Sequence, residues 1–208
     1  MSYKNNKYQV IRGVISEELA DVCLRYLAIS HNADAYLINK NITNENNVLI
    51  GNFKDAQVPN SYAKYGDRLM ESLLIQTIPL MEKETGLKLI PTYSYCRLYK
   101  KGNVLKRHKD RPSCEISTTL NLGGDEWSIY LSSSSKDNIS NSPKEIKIDL
   151  KKGDMLIYSG CELEHWRDVF EGNVCGQVFL HYNHADGQFA KTNILDKRPM
   201  LGVPKLNV

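Results

Sequence analysis

No apolar run in this 208-residue chain approaches the ~20 residues needed to cross a bilayer, and the opening MSYKNNKYQVIRGV lacks a stretch of signal-peptide length. Five cysteines, Cys23, Cys96, Cys114, Cys161 and Cys175, are an odd number with no C-x-x-C pair, which argues against a disulfide framework. These absences lead to the expectation of reduced thiols, a cytoplasmic location and no membrane partner. Charge of either sign is not in excess: 27 basic against 24 acidic residues leave a net +3, without the dense basic stripe of a dedicated nucleic-acid binder. Nucleic acid is therefore not an expected partner. With 41% hydrophobic and 25% charged residues, the composition excludes collagen, coiled coil and general disorder, and the length suits one domain with a single core.

What is present changes character along the chain. KYQVIRGVIS reads as an opening strand, and Ser16 before EELADVCLRYLAI reads as an N-capped amphipathic helix with acids at its positive end. The asparagine-rich SHNADAYLINKNITNENNVLIGNF is expected to be mostly loop. YAKYGDRLMESLLIQTIPLMEKETG has the longest helical pattern, with Gly86 at its C-terminal cap and Pro79 marking a kink or break. From Lys88 the period falls to two. LIPTYSYCRLYK, CEISTTLNLG, EWSIYL, EIKIDL, DMLIYSG and CGQVFLHYNH read as six short strands, with SSSSKDNISNSPK as a surface loop. Helices followed by a run of strands predict an α+β chain, a β-sandwich or barrel with helices packed on one face.

Three of these strands carry a polar face. Ser117, Thr119 and Asn121 share one side of their strand, Tyr93, Tyr95, Arg97 and Tyr99 another, and Gln177, Phe179, His181 and Asn183 a third. Such faces suit either the solvent side of a sandwich or a hydrated pocket in a barrel mouth. His108 and Asp110, two apart in extended backbone, project together as a local ion pair or as part of a metal site. His165, eleven residues after Asp154 in LKKGDMLIYSGCELEHWRDVF, adds a third ligand type. Two imidazoles and one carboxylate in this order fit a facial triad, which occupies one face of an octahedral iron and leaves three positions open. The plain alternatives are a surface pair and a core histidine.

This pattern resembles the 2-oxoglutarate- and iron(II)-dependent dioxygenases, and within them the prolyl-hydroxylase-like branch. The resemblance covers roughly Tyr93 to Asn183. It implies a double-stranded β-helix (jelly-roll) core at about 88–185, helical support at about 1–87 and a tail at 186–208. His108, Asp110 and His165 would hold Fe(II), and Tyr99 would hydrogen-bond 2-oxoglutarate, with Thr119 and Asn121 lining the cosubstrate pocket. The basic residue that such enzymes place after the distal histidine is missing between Arg167 and Lys191. Arg97, on the same strand face as Tyr99, is the expected replacement, supported by Gln177 and His181, with Arg167, two residues past His165, as an alternative that could also face inward, while Arg111 and Trp127 are candidates on the substrate side. The implied activity is hydroxylation of a peptidyl or amino-acid side chain, with dioxygen and 2-oxoglutarate consumed, succinate and CO2 released, and ascorbate as reductant. The alternatives are a nucleic-acid demethylase of the same superfamily and a cupin-like metal- or sugar-binding jelly roll without redox chemistry.

Overall fold

The computed structural model describes residues 2–136 and 143–205. Its elements run α1 (Tyr3–Asn6), β1 (Tyr8–Ile11), α2 (Glu17–Asn39), β2 (Tyr62–Tyr65), α3 (Arg68–Gln76), α4 (Ile78–Thr85) and β3 (Leu89–Lys100). Then come β4 (Leu105–His108), β5 (Ile116–Gly124), β6 (Ile129–Lys136), β7 (Pro143–Ile148), β8 (Met155–Ser159), β9 (His165–Arg167) and β10 (Val174–His184). The strands form two sheets, ordered β1-β8-β5-β10-β3-β2 and β4-β9-β6-β7. Every recorded pairing is antiparallel. The expected α+β architecture, with two sheets around a shared interior and helices on one face, is what forms. No helix among the described residues is long and apolar enough to cross a membrane.

The alternation read from the strands decides which face meets what. Leu120 and Leu122 of β5, and Val178, Leu180 and Tyr182 of β10, pack with Ala20, Cys23 and Leu27 of α2 and Met70, Leu74 and Met81 of α3 and α4. The intervening Ser117, Thr119, Gln177, Phe179 and His181 therefore turn toward the smaller sheet. A second apolar cluster, including Ile129, Leu131, Leu156, Tyr158 and Leu163, fills the space between the sheets. Burial of these side chains supplies the main favourable term, on the order of 1.5–3 kcal/mol for each large one.

Two expectations need correction. The segment read as loop from Ser30 onward begins as helix, because α2 continues to Asn39. Its buried Asp34 accepts hydrogen bonds from Gly51 N at 2.7 Å and Tyr62 Oη at 2.6 Å, a tertiary anchor that outweighs the polar composition. The single helix read over 62–86 is three elements: β2, which pairs with β3, then α3 and α4. Pro79, near the start of α4, has no N–H to continue the α3 ladder, so the break falls at Thr77, and Gly86 closes α4 with φ +73°. The strands β4 and β9 were not anticipated, being only four and three residues long. Positions 137–142 of the expected loop lie outside the described residues.

Candidate metal and cosubstrate site

The short strands β4 and β9 pair so that His108 faces His165 across the ladder. Their rings lie 4.2 Å apart between centroids. Asp110 leaves β4 and is tied back by its N–H to Gly160 O at 2.9 Å. Gly160 is required here by close approach: a Cβ would lie 2.4 Å from Asp110 Oδ2 and from Cys114 O. Ser117 Oγ donates to Asp110 Oδ2 at 2.8 Å, which fixes the carboxylate plane.

Asp110 Oδ1 sits 3.5 Å from His165 Nε2 and 3.7 Å from His108 Nε2. Each imidazole meets a backbone carbonyl through Nδ1, His108 with Lys106 O at 2.7 Å and His165 with Leu163 O at 3.1 Å. An Nδ1–H donated in this way leaves the Nε2 lone pair on the side of the carboxylate, an arrangement that a cation could bridge. Burial and the neighbouring His165 push the His108 pKa down, toward the neutral form that ligates metals. Burial would raise Asp110, but the His165 hydrogen bond and the surrounding imidazoles hold it below the ordinary carboxylate value. The donor atoms of His108, Asp110 and His165 all lie within 4.8 Å of one another. Two neutral nitrogens and one anionic oxygen, each oriented by an outer partner, fit a divalent transition metal.

These groups open on a cavity of about 380 Å³ between the sheets. Tyr99, Leu105, Ile129, Tyr158 and Phe179 line it together with Tyr65, Tyr93, Tyr95, Lys109 and Arg111. His181 also lines it; its Nδ1 lies 3.0 Å from Ser117 Oγ, and burial lowers its pKa to about 4.

The remaining expected residues fall in different places. Arg97 reaches the cavity, yet its Nη2 donates to Asp55 at 2.5 Å and to Gln57 Oε1 at 3.2 Å. Tyr99 lines the cavity, and its hydroxyl is buried with no partner. Thr119 donates to Gln177 Oε1 at 3.0 Å, and Gln177 donates to Asn121 Oδ1 at 3.1 Å. Asn121 itself donates to Leu150 O, so Thr119, Asn121 and Gln177 form a network outside the cavity lining. Trp127 also lies outside it, donating to Asp168 O at 3.0 Å. Arg111 is held by Asp196 at 2.6 and 2.8 Å.

Sequence reasoning missed Asp55, Gln57 and Asp196. Asp55 and Gln57 enter from the 51–61 segment: Tyr95 Oη donates to Asp55, and the Gln57 amide sits 3.0 Å from His108 Nε2. They are ordinary polar residues more than 50 positions upstream of His108, in a stretch with no periodic signal. Cys114, whose Sγ is 3.0 Å from Tyr93 Oη, forms a second close group with Asp110 and His181. All five cysteines are free among the described residues.

Comparison with known proteins adds the fold. No family model and no curated protein matches the sequence. Among solved structures, a Pseudomonas putida prolyl-4-hydroxylase aligns with TM-score 0.57 at 12% identity, over 88% of this chain and 95% of that one. HygX from Streptomyces hygroscopicus, solved with nickel and 2-oxoglutarate bound, gives 0.62 at 13% over 88% and 85%. The non-heme alpha-ketoglutarate-dependent epimerase SnoN from nogalamycin biosynthesis gives 0.63 at 13% over 98% and 92%. The chain has the double-stranded β-helix fold of these oxygenases.

Proposed function

We propose that the chain is an Fe(II)- and 2-oxoglutarate-dependent oxygenase, with His108, Asp110 and His165 as the metal ligands. The observation that carries this reading is the convergence of two Nε2 lone pairs and one carboxylate oxygen at the entrance of a cavity between the sheets. HygX, of the same fold, is described with nickel and 2-oxoglutarate bound. When bound, iron would supply the oxidising chemistry: one oxygen atom of dioxygen goes into succinate as 2-oxoglutarate loses CO2, and the other oxidises the prime substrate.

The chain's own residues have three tasks in this scheme. The carbonyls of Lys106 and Leu163 hold the imidazoles in the Nδ1–H tautomer, and Ser117 holds Asp110 in plane. The aromatic wall of Tyr93, Tyr95, Tyr158 and Phe179 excludes water from the reacting end of the cavity. Gln57, now on His108 Nε2, must withdraw before that nitrogen can ligate, a change that rotation of its side chain provides.

For the prime substrate, the finer reading is hydroxylation of a peptidyl or amino-acid side chain, supported by the prolyl-4-hydroxylase among the structural neighbours. A second reading, a small-molecule substrate, is favoured by HygX, of the same fold, which is also solved with hygromycin B bound. Succinate formation from 2-oxoglutarate, measured with Fe(II) and ascorbate against peptides, amino acids and small glycosides, tests both. Iron-dependent succinate release stimulated by one of these classes is the expected result. No release with any of them, from protein that binds Fe(II), would point to a non-redox metal-binding jelly roll.

A further inference from the structure

Three buried nitrogen or oxygen donors around the inner half of the interior have no partner: Tyr99 Oη, Arg97 Nε and Arg167 Nε. A dicarboxylate entering this cavity with its keto-acid end at the metal needs a cation for its far carboxylate, because an unpaired buried anion is expensive to desolvate. Strand β10, from Val174 to His184, contains no lysine or arginine. The cations near the cavity are therefore few. Arg111 is committed to Asp196 and Arg97 to Asp55, while Lys109 stands exposed at the mouth.

Arg167 is different. It is 1% exposed, and among the described residues no acidic side chain pairs with it. A guanidinium cannot escape this by losing its proton. Nη1 donates to Trp127 O, Nη2 lies 3.4 Å from Thr119 Oγ1, and Cζ stands 5.0 Å from the Trp127 ring. Tyr99 packs edge-on against the same ring at 4.8 Å, so the two unpartnered donors flank one indole. Arg167 follows His165 by two residues on β9 and shares its strand face, roughly 6–7 Å further into the interior. Arg167 itself stands behind the lining, but its ladder partner Leu105 lines the cavity together with Tyr99. This offset is comparable to the length of an extended five-carbon dicarboxylate.

We propose that Arg167, with Tyr99, is the anchor for the far carboxylate of 2-oxoglutarate, a charge supplied from the metal-ligand strand because β10 supplies none. The inference rests on the cosubstrate reading above. Arg97 then belongs to the wall that meets the 51–61 segment, and its pairing with Asp55 holds that segment against the cavity.

The test compares 2-oxoglutarate with 2-oxobutyrate, which keeps the keto acid and lacks the far carboxylate. Binding of each is measured directly by calorimetry with Mn(II) for the wild type, Arg167→Met, Arg167→Lys, Tyr99→Phe and Arg97→Met. The wild type should prefer 2-oxoglutarate. Arg167→Met should weaken its binding about ten- to a hundred-fold, the loss expected for a charge-assisted pair, while Mn(II) and 2-oxobutyrate bind as before. Arg167→Lys should keep part of the preference, and Tyr99→Phe should reduce it several-fold. If Arg167→Met does not fold, these two variants decide the matter. Full preference retained in the Arg167 variants, with loss in Arg97→Met, overturns the assignment and leaves the oxygenase reading intact. A wild type that binds Mn(II) but neither keto acid refutes the cosubstrate reading and the anchor together.

Discussion

Each flank of the cavity has an arginine near it, and the two are in opposite states. On the outer flank Arg111 grips Asp196 with both terminal nitrogens and stacks 4.6 Å from the Tyr93 ring centroid. Asp196 also accepts from Ser113 at 2.7 Å and Tyr65 at 2.5 Å. This network holds three successive residues, Leu195, Asp196 and Lys197, at φ of 48°, 54° and 64°, a conformation that costs energy in side chains with a Cβ. Behind the lining on the inner flank, Arg167 has no acid among the described residues, and Tyr99 beside the same indole has no hydrogen-bond partner there. Saturated hydrogen bonding on one side and orphaned donors on the other set the framework apart from the proposed ligand site. The same residue type serves both, so its partners and not its identity carry the distinction.

The comparison breaks most visibly at Asp196. Asp196→Asn leaves the half-exposed Arg111 without its counter-charge and should lower stability by about 1–2 kcal/mol in denaturant unfolding, since solvent screens the arginine side of the pair. Burial would raise the Asp196 carboxyl, but the hydrogen bonds from Arg111, Tyr65 and Ser113 hold it below its ordinary 3.8. Its contribution is therefore fully present above that value and is lost as pH falls through the depressed folded pKa. The stability gap between wild type and Asp196→Asn should accordingly narrow below about pH 4. A gap constant down to pH 2 would mean that the carboxylate is not paired as described.

Tyr99→Phe gives the opposite and smaller effect. Removing a buried hydroxyl that has no partner should leave the ligand-free protein unchanged or more stable by about 1 kcal/mol. A clear loss of stability would mean that the hydroxyl has a partner in solution and that the inner flank is not waiting for a ligand.

Much of this was legible in the sequence where a period or a spacing carried it. LIPTYSYCRLYK matches β3 residue for residue, because every second side chain had to enter the interior. His108, Asp110 and His165 were picked out by order and type as ligand candidates, and the fold brings their donor atoms within 4.8 Å of one another. What escaped depended on contacts between distant segments. The Asp34 anchor carried a helix through asparagine-rich sequence, and β2 was hidden inside a helical pattern because its pairing with β3 lies far along the chain. Asp55 and Asp196 gave no local sign of capturing Arg97 and Arg111, whereas Arg167 was visible in the sequence but its isolation from every acid was not.

The proposed oxygenase chemistry requires one cavity to hold iron and a keto acid together on His108, Asp110 and His165. Anaerobic titration of the protein with Fe(II) and 2-oxoglutarate tests it most directly. A weak visible charge-transfer band that saturates at one equivalent of each is expected in the wild type and not in a folded Asp110→Ala variant. A band that persists in Asp110→Ala, or a wild type that takes up both yet stays colourless, would contradict it.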